Sequence, residues 1–502
     1  MLRIFKNVRH KHTWIKPEGY ELPISVYNCT AKRKVPLVLR NKELMTWYTC
    51  GPTVYDSSHI GHASCYVKLD IIQRILREQF KVNIVSVMNI TDIDDKLIRR
   101  AEDEKSSVQE LAKFYERDFW EDLQSLNVPK PDRVVRVTDN MPVIIDFIQS
   151  LLENKQAYQS VDGSVYFDTG CYKGVYGKLQ NIGESESEKS NVKRSPADFA
   201  LWKGSKGNEP KWESNFGPGR PGWHIECSAL AGTILGSNID VHAGGIDLRF
   251  PHHENEEAQS CSYFSVDQWV NYWLHTGHLH LKDSVKMSKS LKNTLSIKDM
   301  LKTCKADTFR MACLMSHYSK NMEYSEEMLR TANNYLLTCK NFMDNCAAYL
   351  DNPIQTNLNS DLLMTHLGKT NQEVEDALKD DFDTASCVKS INNLMSSTNK
   401  MIHTAASDSS GNDGSIGLMA ITNFVGKTLN SFGLNLNKVN SESDKDFDRI
   451  VDLLVQFRGE LRQIGASSKS KEVFGLCDGI RDEMLKMGIE MKDRGKSTTW
   501  SR

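Results

Sequence analysis

The chain has 502 residues, 39% of them hydrophobic, and its 63 Lys and Arg against 65 Asp and Glu leave a formal charge of −2. That length allows about three domains with real cores, and the balanced charge excludes a globally polycationic chain, so any nucleic-acid surface must be a local patch. No apolar stretch reaches the length of a spanning helix and no leader carries a long hydrophobic centre, so neither a membrane-embedded nor a secreted protein is expected. The twelve cysteines form no CxxC pair, which in a chain this long predicts a reducing compartment and thiols that pack as small hydrophobes.

The opening "MLRIFKNVRHKHTWIK" places Arg3, Lys6, Arg9, Lys11 and Lys16 before the first acid, Glu18. An organelle-targeting leader over residues 1–23 is expected, with a basic surface strand as the alternative. "MTWYTC" reads as a strand. After a turn, "HASCYVKLDIIQRILREQF" has the apolar rhythm of a helix, and "KVNIVSVMNIT" reads as a second, buried strand. The unit is β-α-β, and "HIGH" (59–62) falls in its first strand-to-helix connection, where a doubly wound sheet binds nucleotides and free N–H groups at the helix start face phosphate.

Farther on, Ser107 and Glu110 predict a capped helix over "SVQELAKFYERDFWEDLQSL", and Asp162-Gly163 predicts the turn of a hairpin in "AYQSVDGSVYFD". The polar loop "GESESEKSNVKRS" belongs to a region, about 135–220, that looks inserted, because buried-strand runs resume only at "NIDVHAGGIDLRF" and "NYWLHTGHLHL". From about Asp307 the pattern is helical to residue 485. "ASDSSGNDGSIG" and "NSESDKD" read as connectors, and residues 486–502 read as a basic tail with Lys492, Arg494, Lys496, Arg502 and Trp500.

His59-Ile60-Gly61-His62 is paired, more than two hundred residues later, with "KMSKS" at Lys286–Ser290. Each motif alone is weak; in this order, the first opening a helix after a strand and the second following a later strand, they point to an ATP site. Adenylate formation holds the α-phosphorus of ATP for in-line attack by a carboxylate while charge grows on pyrophosphate, and imidazoles and ammonium groups supply that stabilisation.

These motifs resemble the class I aminoacyl-tRNA synthetases. With "CGPTVYD", "NITDIDDK", "DFALWK", "GPGRPGWHIECSA" and "GGIDLRFPHHENE", the resemblance narrows to the cysteinyl-tRNA synthetases and runs from about residue 24 to the end. It implies an α/β fold: a Rossmann-type doubly wound parallel sheet (24–306) with a connective insertion and a signature loop at 284–292, followed by an all-α C-terminal domain (307–485) for tRNA. It also implies that His59 and His62 contact the phosphates, that Gly61 leaves room for adenine, and that Lys286 and Lys289 clamp the transition state.

Cys50, Cys227, His252 and Glu256 are dispersed, although His252 and Glu256 would share one helix face. Read on their own such residues are more often plain core. The resemblance aligns them with zinc ligands, one Zn2+ per chain, and leaves His253 and Glu254 outside the set. A zinc ion reads sulfur against oxygen directly, whereas an apolar pocket separates near-isosteres by only roughly 10- to 200-fold. Trp223 and Thr91 resemble pocket walls around the cysteine, with Cys50 beside them. Asp92, Asp94 and Asp95 invite a second metal, with a solvated helix start as the equal alternative.

The implied partners are L-cysteine, ATP with Mg2+ and tRNA(Cys), with no membrane and a monomeric chain. The basic leader and the compact insertion resemble the mitochondrial form, giving a matrix location with the cytoplasm as the alternative. A cysteine:amino-sugar ligase and an inactive binding protein are the rival functions. The long helical half speaks against the first, and the intact motifs against the second.

Overall fold

The computed structural model describes residues 14–180, 192–207, 209–281, 295–351, 358–404, 414–435, 442–494 and 497–501. The chain divides into two units. One is built on residues up to Arg330 together with Thr370–Ile391, the other on Thr331–Lys369 and Asn392–Arg502.

The first unit begins with an antiparallel pair, β1 (Tyr20–Asn28) and β2 (Arg33–Leu39). Ahead of it Trp14 is already docked. Its Nε1 donates to the carbonyl of Asn271 at 3.0 Å, and its ring lies 5.8 Å from that of Tyr272. Residue 23, where the leader was expected to end, therefore lies inside a strand, and the described part of the fold starts at Trp14.

Five parallel strands follow: β3 (Met45–Thr49), β4 (Ile84–Ile90), β5 (Arg133–Arg136) and, much later, β10 (Ile239–Gly245) and β11 (Val270–Thr276). Their order across the sheet is β11-β10-β3-β4-β5. Every residue of β11 and all but the last of β10 are buried, the near-continuous run that a parallel strand covered on both faces requires. β5, at the edge, is four residues long and exposes both of its arginines. From β3 the chain steps one way to β4 and β5 and later returns on the other side as β10 and β11. The order thus reverses between β3 and β10, and a crevice opens there at the carboxyl ends of the strands.

Helices α1 (Ile60–Arg74), α2 (Asp95–Glu104), α3 (Val108–Ser125) and α4 (Met141–Glu153) connect or flank the first strands. Ser107 caps α3 as expected: its hydroxyl accepts from the Glu110 N–H at 3.2 Å and donates to the Glu110 carboxylate at 2.8 Å. The inserted region is a separate four-stranded antiparallel sheet of β6 (Ala157–Gln159), β7 (Val165–Phe167), β8 (Phe199–Gly204) and β9 (Gly219–Pro221). Its first turn uses Gly163 at φ +80°, a conformation glycine adopts without strain. The insertion starts later than the sequence suggested, because residue 135 belongs to β5 of the main sheet and α4 packs on α5 (Trp223–Leu235) and α6 (Glu254–Phe264). Most of the polar loop, residues 181–191, lies outside the described residues.

Past the main sheet come β12 (Leu279–Leu281), α7 (Ile297–Thr303), α8 (Ala306–Leu314) and β13 (Met322–Tyr324). α8 follows residue 306, where the catalytic part was expected to stop, yet it is bolted to α1. Arg310, 1% exposed, donates to Asp70 Oδ2 at 2.6 Å and to the carbonyls of Leu126 and Asn127 at 2.9 Å each. α9 (Glu326–Asp351), α10 (Ser360–Lys379), α11 (Thr384–Thr404) and α12 (Ser415–Ser431) are helical, as the periodicity predicts. The α10–α11 turn returns to the first unit, where the Asp381 N–H donates to the carbonyl of Ser25 at 2.8 Å.

In the second unit α13 (Glu442–Ser468) starts within the "NSESDKD" stretch expected to be a connector, and α14 (Lys471–Lys486) packs against it. The end of the chain is an antiparallel hairpin, β14 (Glu490–Arg494) with β15 (Ser497–Ser501). Asp493 of that hairpin holds Arg458 at 2.8 and 3.1 Å, and Trp500 Nε1 donates to Asp452 at 2.7 Å. No helix among the described residues is long and apolar enough to cross a membrane, and all twelve cysteines are free thiols.

Candidate functional site

The crevice at the switch point is a cavity of about 370 Å³ with walls from four stretches: Cys50–Thr53 after β3, the start of α1, Gly245–Leu248 after β10, and Thr276–Leu279 after β11. Its floor turns sharply at Gly51, where a Cβ would stand 1.6 Å from the carbonyl oxygen of Asn89, so only glycine fits.

His59 and His62 sit in this wall as a reciprocal helix cap. His59 Nδ1 accepts from the Gly61 N–H at 3.1 Å, the His59 N–H faces His62 Nδ1 at 3.4 Å, and the rings stack with centroids 3.9 Å apart. Both imidazoles thus sit at the N-terminal end of α1 and line the cavity, at the end of the helix that favours negative charge. Lys286 and Lys289 lie outside the described residues. The chain on both sides of them is at the cavity: Leu279 lines it, and beyond them the Ile60 N–H donates to the carbonyl of Leu295 at 3.0 Å while the Ile297 N–H donates to that of Ser58 at 3.2 Å.

At the cavity's inner end Cys50, Cys227, His252 and Glu256 converge, their donor atoms all within 4.8 Å of one another. Each is at most 5% exposed. The sulfurs of Cys50 and Cys227 are 3.8 Å apart, Cys50 Sγ is 3.5 Å from Glu256 Oε1, and His252 Nε2 is 3.0 Å from the same oxygen. Despite that proximity, His252 Nε2 is buried without a hydrogen bond. A lone donor atom aimed at two sulfurs and a carboxylate oxygen fits a metal better than it fits a polar core.

A second grouping, Cys50, His242, His253 and Glu256, is equally compact. In it His242 Nε2 donates to Glu256 Oε2 at 2.9 Å, and His253 pairs through Nδ1 with His275 Nε2 at 2.9 Å while its own Nε2 lies 3.5 Å from Cys50 Sγ. His242 thus orients Glu256, and His275 orients His253. His224 does the same for His252, their Nδ1 atoms lying 2.8 Å apart, which leaves His252 Nε2 for the centre.

Electrostatics agree. Burial works against charge on all four donors. Glu256 is nevertheless held down to about 2 by His242 and His252, and Cys227 is drawn down to about 6 by the hydrogen bond from Cys50 and by His252. Burial, with Cys227 and Glu256 nearby, pushes the Cys50 thiol well above its usual value. Burial would discharge His252, but Glu256 and Cys227 lift it to about 10. The outer rings stay neutral: burial and the neighbouring imidazoles hold His224 and His253 well below the usual range, and burial and Arg249 hold His275 at about 3. Without a metal the two anionic donors are balanced by the protonated His252; a metal ion that displaces that proton would meet the same donors.

Trp223, 41% exposed, reaches over the metal-type cluster with its ring 4.2 Å from that of His252 and lines the cavity. Thr91 does not line it. Its buried hydroxyl donates to Glu226 Oε2 at 3.0 Å and accepts from Asn89 at 3.2 Å. The three aspartates do not converge either. Asp92 accepts from Thr138, Asp94 caps the Lys96 N–H at 2.8 Å, and Asp95 binds Lys203 and Arg220, so they form helix-start and ion-pair contacts instead of a second metal site.

Sequence reasoning missed His224, His242 and His275. A faint signal existed, in that two otherwise apolar strand runs, "IDVHAGG" and "YWLHTG", each carry a histidine near the carboxyl end where the site lies.

Comparison with known proteins bears on the whole chain. Residues 37–334 match the family of tRNA synthetases class I (C) catalytic domain. A protein of Xenopus tropicalis named "Probable cysteine--tRNA ligase, mitochondrial" is 40% identical, over 97% of this chain and 91% of its own length. "Cysteine--tRNA ligase, cytoplasmic" of Dictyostelium discoideum is 39% identical over 97% of this chain and 78% of its own. Among solved structures, the Mycobacterium tuberculosis methionyl-tRNA synthetase in complex with methionyl-adenylate superposes with a TM-score of 0.59 at 14% identity, covering 78% of this chain and 90% of that one, a likeness of fold alone.

Proposed function

The chain belongs to the cysteine–tRNA ligase family of class I tRNA synthetases, and we infer from that membership that it activates L-cysteine with ATP and transfers it to tRNA(Cys). A cysteine carboxylate oxygen attacks the α-phosphorus and expels pyrophosphate, giving cysteinyl-adenylate. A terminal ribose hydroxyl of the tRNA then attacks the carbonyl carbon and releases AMP. The likeness to the cysteine–tRNA ligase relatives spans 97% of the chain and so includes the helical half, which favours this reading over a cysteine:amino-sugar ligase.

The observation that carries the site assignment is the placement of the donor cluster at the inner end of the cavity whose wall holds His59 and His62. Zinc is the metal we propose. Two thiolates with one imidazole and one carboxylate suit it, and a tetrahedral site with Zn–S bonds of about 2.3 Å separates its sulfurs by about 3.8 Å, the spacing of Cys50 and Cys227. When bound there, zinc offers the substrate thiolate a soft ligand site that a serine hydroxyl fills poorly. The protein's own groups do the rest. Trp223 walls the substrate side, His59 and His62 hold the phosphates beside the backbone of Gly61, and Lys286 and Lys289 meet the charge that develops on Mg2+-bound pyrophosphate. Thr91, engaged with Glu226 and Asn89, is not given a contact with the substrate.

We further propose a monomer that uses α9–α14 and the terminal hairpin for tRNA, and a mitochondrial matrix location with a leader confined to residues 1–13. Residues 1–13 fused to a fluorescent protein should reach mitochondria; a diffuse signal rejects the leader. The decisive test of function is cysteine-dependent pyrophosphate exchange followed by charging of tRNA(Cys), with zinc measured in the purified protein. Exchange that serine supports as well as cysteine does, or protein without stoichiometric zinc, would reject the selection mechanism.

A further inference from the structure

Glu254 stands between the metal-type residues in sequence but faces away from them. On α6, Glu254 and Glu257 are three residues apart and share one face, while Glu256 turns toward the donor cluster. The Glu254 carboxylate, 1% exposed, receives three backbone N–H groups of the insertion: Gly177 at 2.7 Å and Lys178 at 3.1 Å on Oε1, and Leu179 at 2.8 Å on Oε2. Beside it Tyr176 donates to Asn255 Oδ1 at 2.5 Å, and Lys178 pairs with Glu257 at 2.6 Å. Glu257 also accepts from the N–H groups of Trp269 and Val270 at the start of β11, at 3.2 and 3.3 Å.

One turn of the insertion thus grips the first turn of the helix that presents Glu256 and adjoins His252. Cys50 and Cys227 come from other elements, so the distance between the two pairs of donors depends on where α6 begins. We propose that Glu254 is a positioning residue for thiol selection, fixing His252 and Glu256 against Cys50 and Cys227 by clasping residues 177–179. The proposal rests on the metal assignment above. Glu254 touches no substrate and acts only through α6.

Cobalt(II) serves as the probe, because its thiolate charge-transfer absorption reports donor geometry independently of activity. The comparison uses full-length wild type, Glu254→Gln, Tyr176→Phe and Asp198→Asn. In Glu254→Gln the new amide would set a donor against one of the backbone N–H groups that the carboxylate accepts. Asp198→Asn disturbs the insertion elsewhere, at the bonds from Tyr158, Thr169 and Ser195. Loss of a partner bonded directly to a ligand weakens metal affinity by about 10- to 100-fold, and Glu254, which acts one step farther out, belongs at the lower end of that range. Glu254→Gln should fall in that range with a shifted cobalt spectrum and a raised KM for cysteine, the KM for ATP unchanged. Tyr176→Phe should move the same way by less, and it decides the matter if Glu254→Gln does not fold. Asp198→Asn should keep the wild-type spectrum. Wild type that binds no cobalt overturns the metal assignment and this proposal together. Wild type that binds it while Glu254→Gln, or Tyr176→Phe in its place, keeps its spectrum and affinity overturns the positioning role alone, as does an equal change in Asp198→Asn.

Discussion

Replacing Glu256 by glutamine is the sharpest single perturbation of the donor cluster, because it keeps the side chain's shape and removes its charge. In the native site Glu256 is fully buried and held as a carboxylate, burial being outweighed by His242 and His252. A carboxylate only accepts, so the 2.9 Å contact at Oε2 assigns the His242 proton to Nε2. The amide of Glu256→Gln places either an N–H against that donor, or its oxygen there and its NH2 toward His252 and Cys50. Turning the His242 tautomer does not help, since His242 Nδ1 is buried without a partner and would become an unsatisfied donor. Beyond the charge of the anionic ligand, the site loses one hydrogen bond to a charged group, so the loss is at least about 1.5–3 kcal/mol, or roughly 10- to 150-fold. Metal affinity measured by competition with a chromophoric chelator should fall by at least that factor, and the KM for cysteine in pyrophosphate exchange should rise while the KM for ATP stays. An affinity within threefold of wild type, or an equal rise in both KM values, would refute the placement of Glu256 at the metal.

Lys289→Ala should slow adenylate formation by roughly 10²- to 10³-fold with little change in cysteine binding, since a charge-stabilising donor acts mainly in the transition state; unaltered single-turnover adenylation would remove that lysine from the mechanism. Arg310→Met leaves Asp70 with Arg74 as its remaining partner at 2.8 Å and takes a donor from the carbonyls of Leu126 and Asn127, which should cost about 1–3 kcal/mol, read as a lowered unfolding transition in calorimetry; an unmoved transition contradicts the bolt between α8 and α1. Burial, reinforced by Asp118 and opposed by Lys298, with Glu121 adding a little, raises the Asp122 carboxyl to about 7. For an acid raised above its unfolded 3.8, stability is full below that value and is lost as pH climbs through the folded one, so Asp122→Asn should stabilise the protein at pH 8 by up to ~4 kcal/mol and progressively less toward pH 4. Equal gains at pH 8 and pH 4 would show that charge on Asp122 is not the cause.

Several features were legible because they are local. His59 and His62 form a cap within one turn, Ser107 and Glu110 cap α3 three residues apart, and Asp162-Gly163 makes its hairpin through one positive φ. The i, i+4 spacing of His252 and Glu256 likewise put both on one side of the chain, and "HIGH" falls, as its place after a strand suggested, in the wall of the cavity. Local chemistry of this kind is written in adjacent residues, since capping and turn formation involve groups within about five positions of each other.

The tertiary structure decided what depends on residues far apart in the chain. Parallel strands covered on both faces carry no alternation to read, so nothing in "IDVHAGG" or "YWLHTG" says which face His242 or His275 takes, or that the first meets Glu256 and the second His253. The start of the insertion was placed too early for a related reason: β5 is a four-residue edge strand without a distinctive pattern, and α4 was assigned only by packing on α5 and α6. Glu254 looked like one more acid in "HHENEE". Only the fold, by bringing the N–H groups of residues 177–179 to its carboxylate, separates it from Glu256, because the partners of a buried charge are chosen by the packing of whole elements.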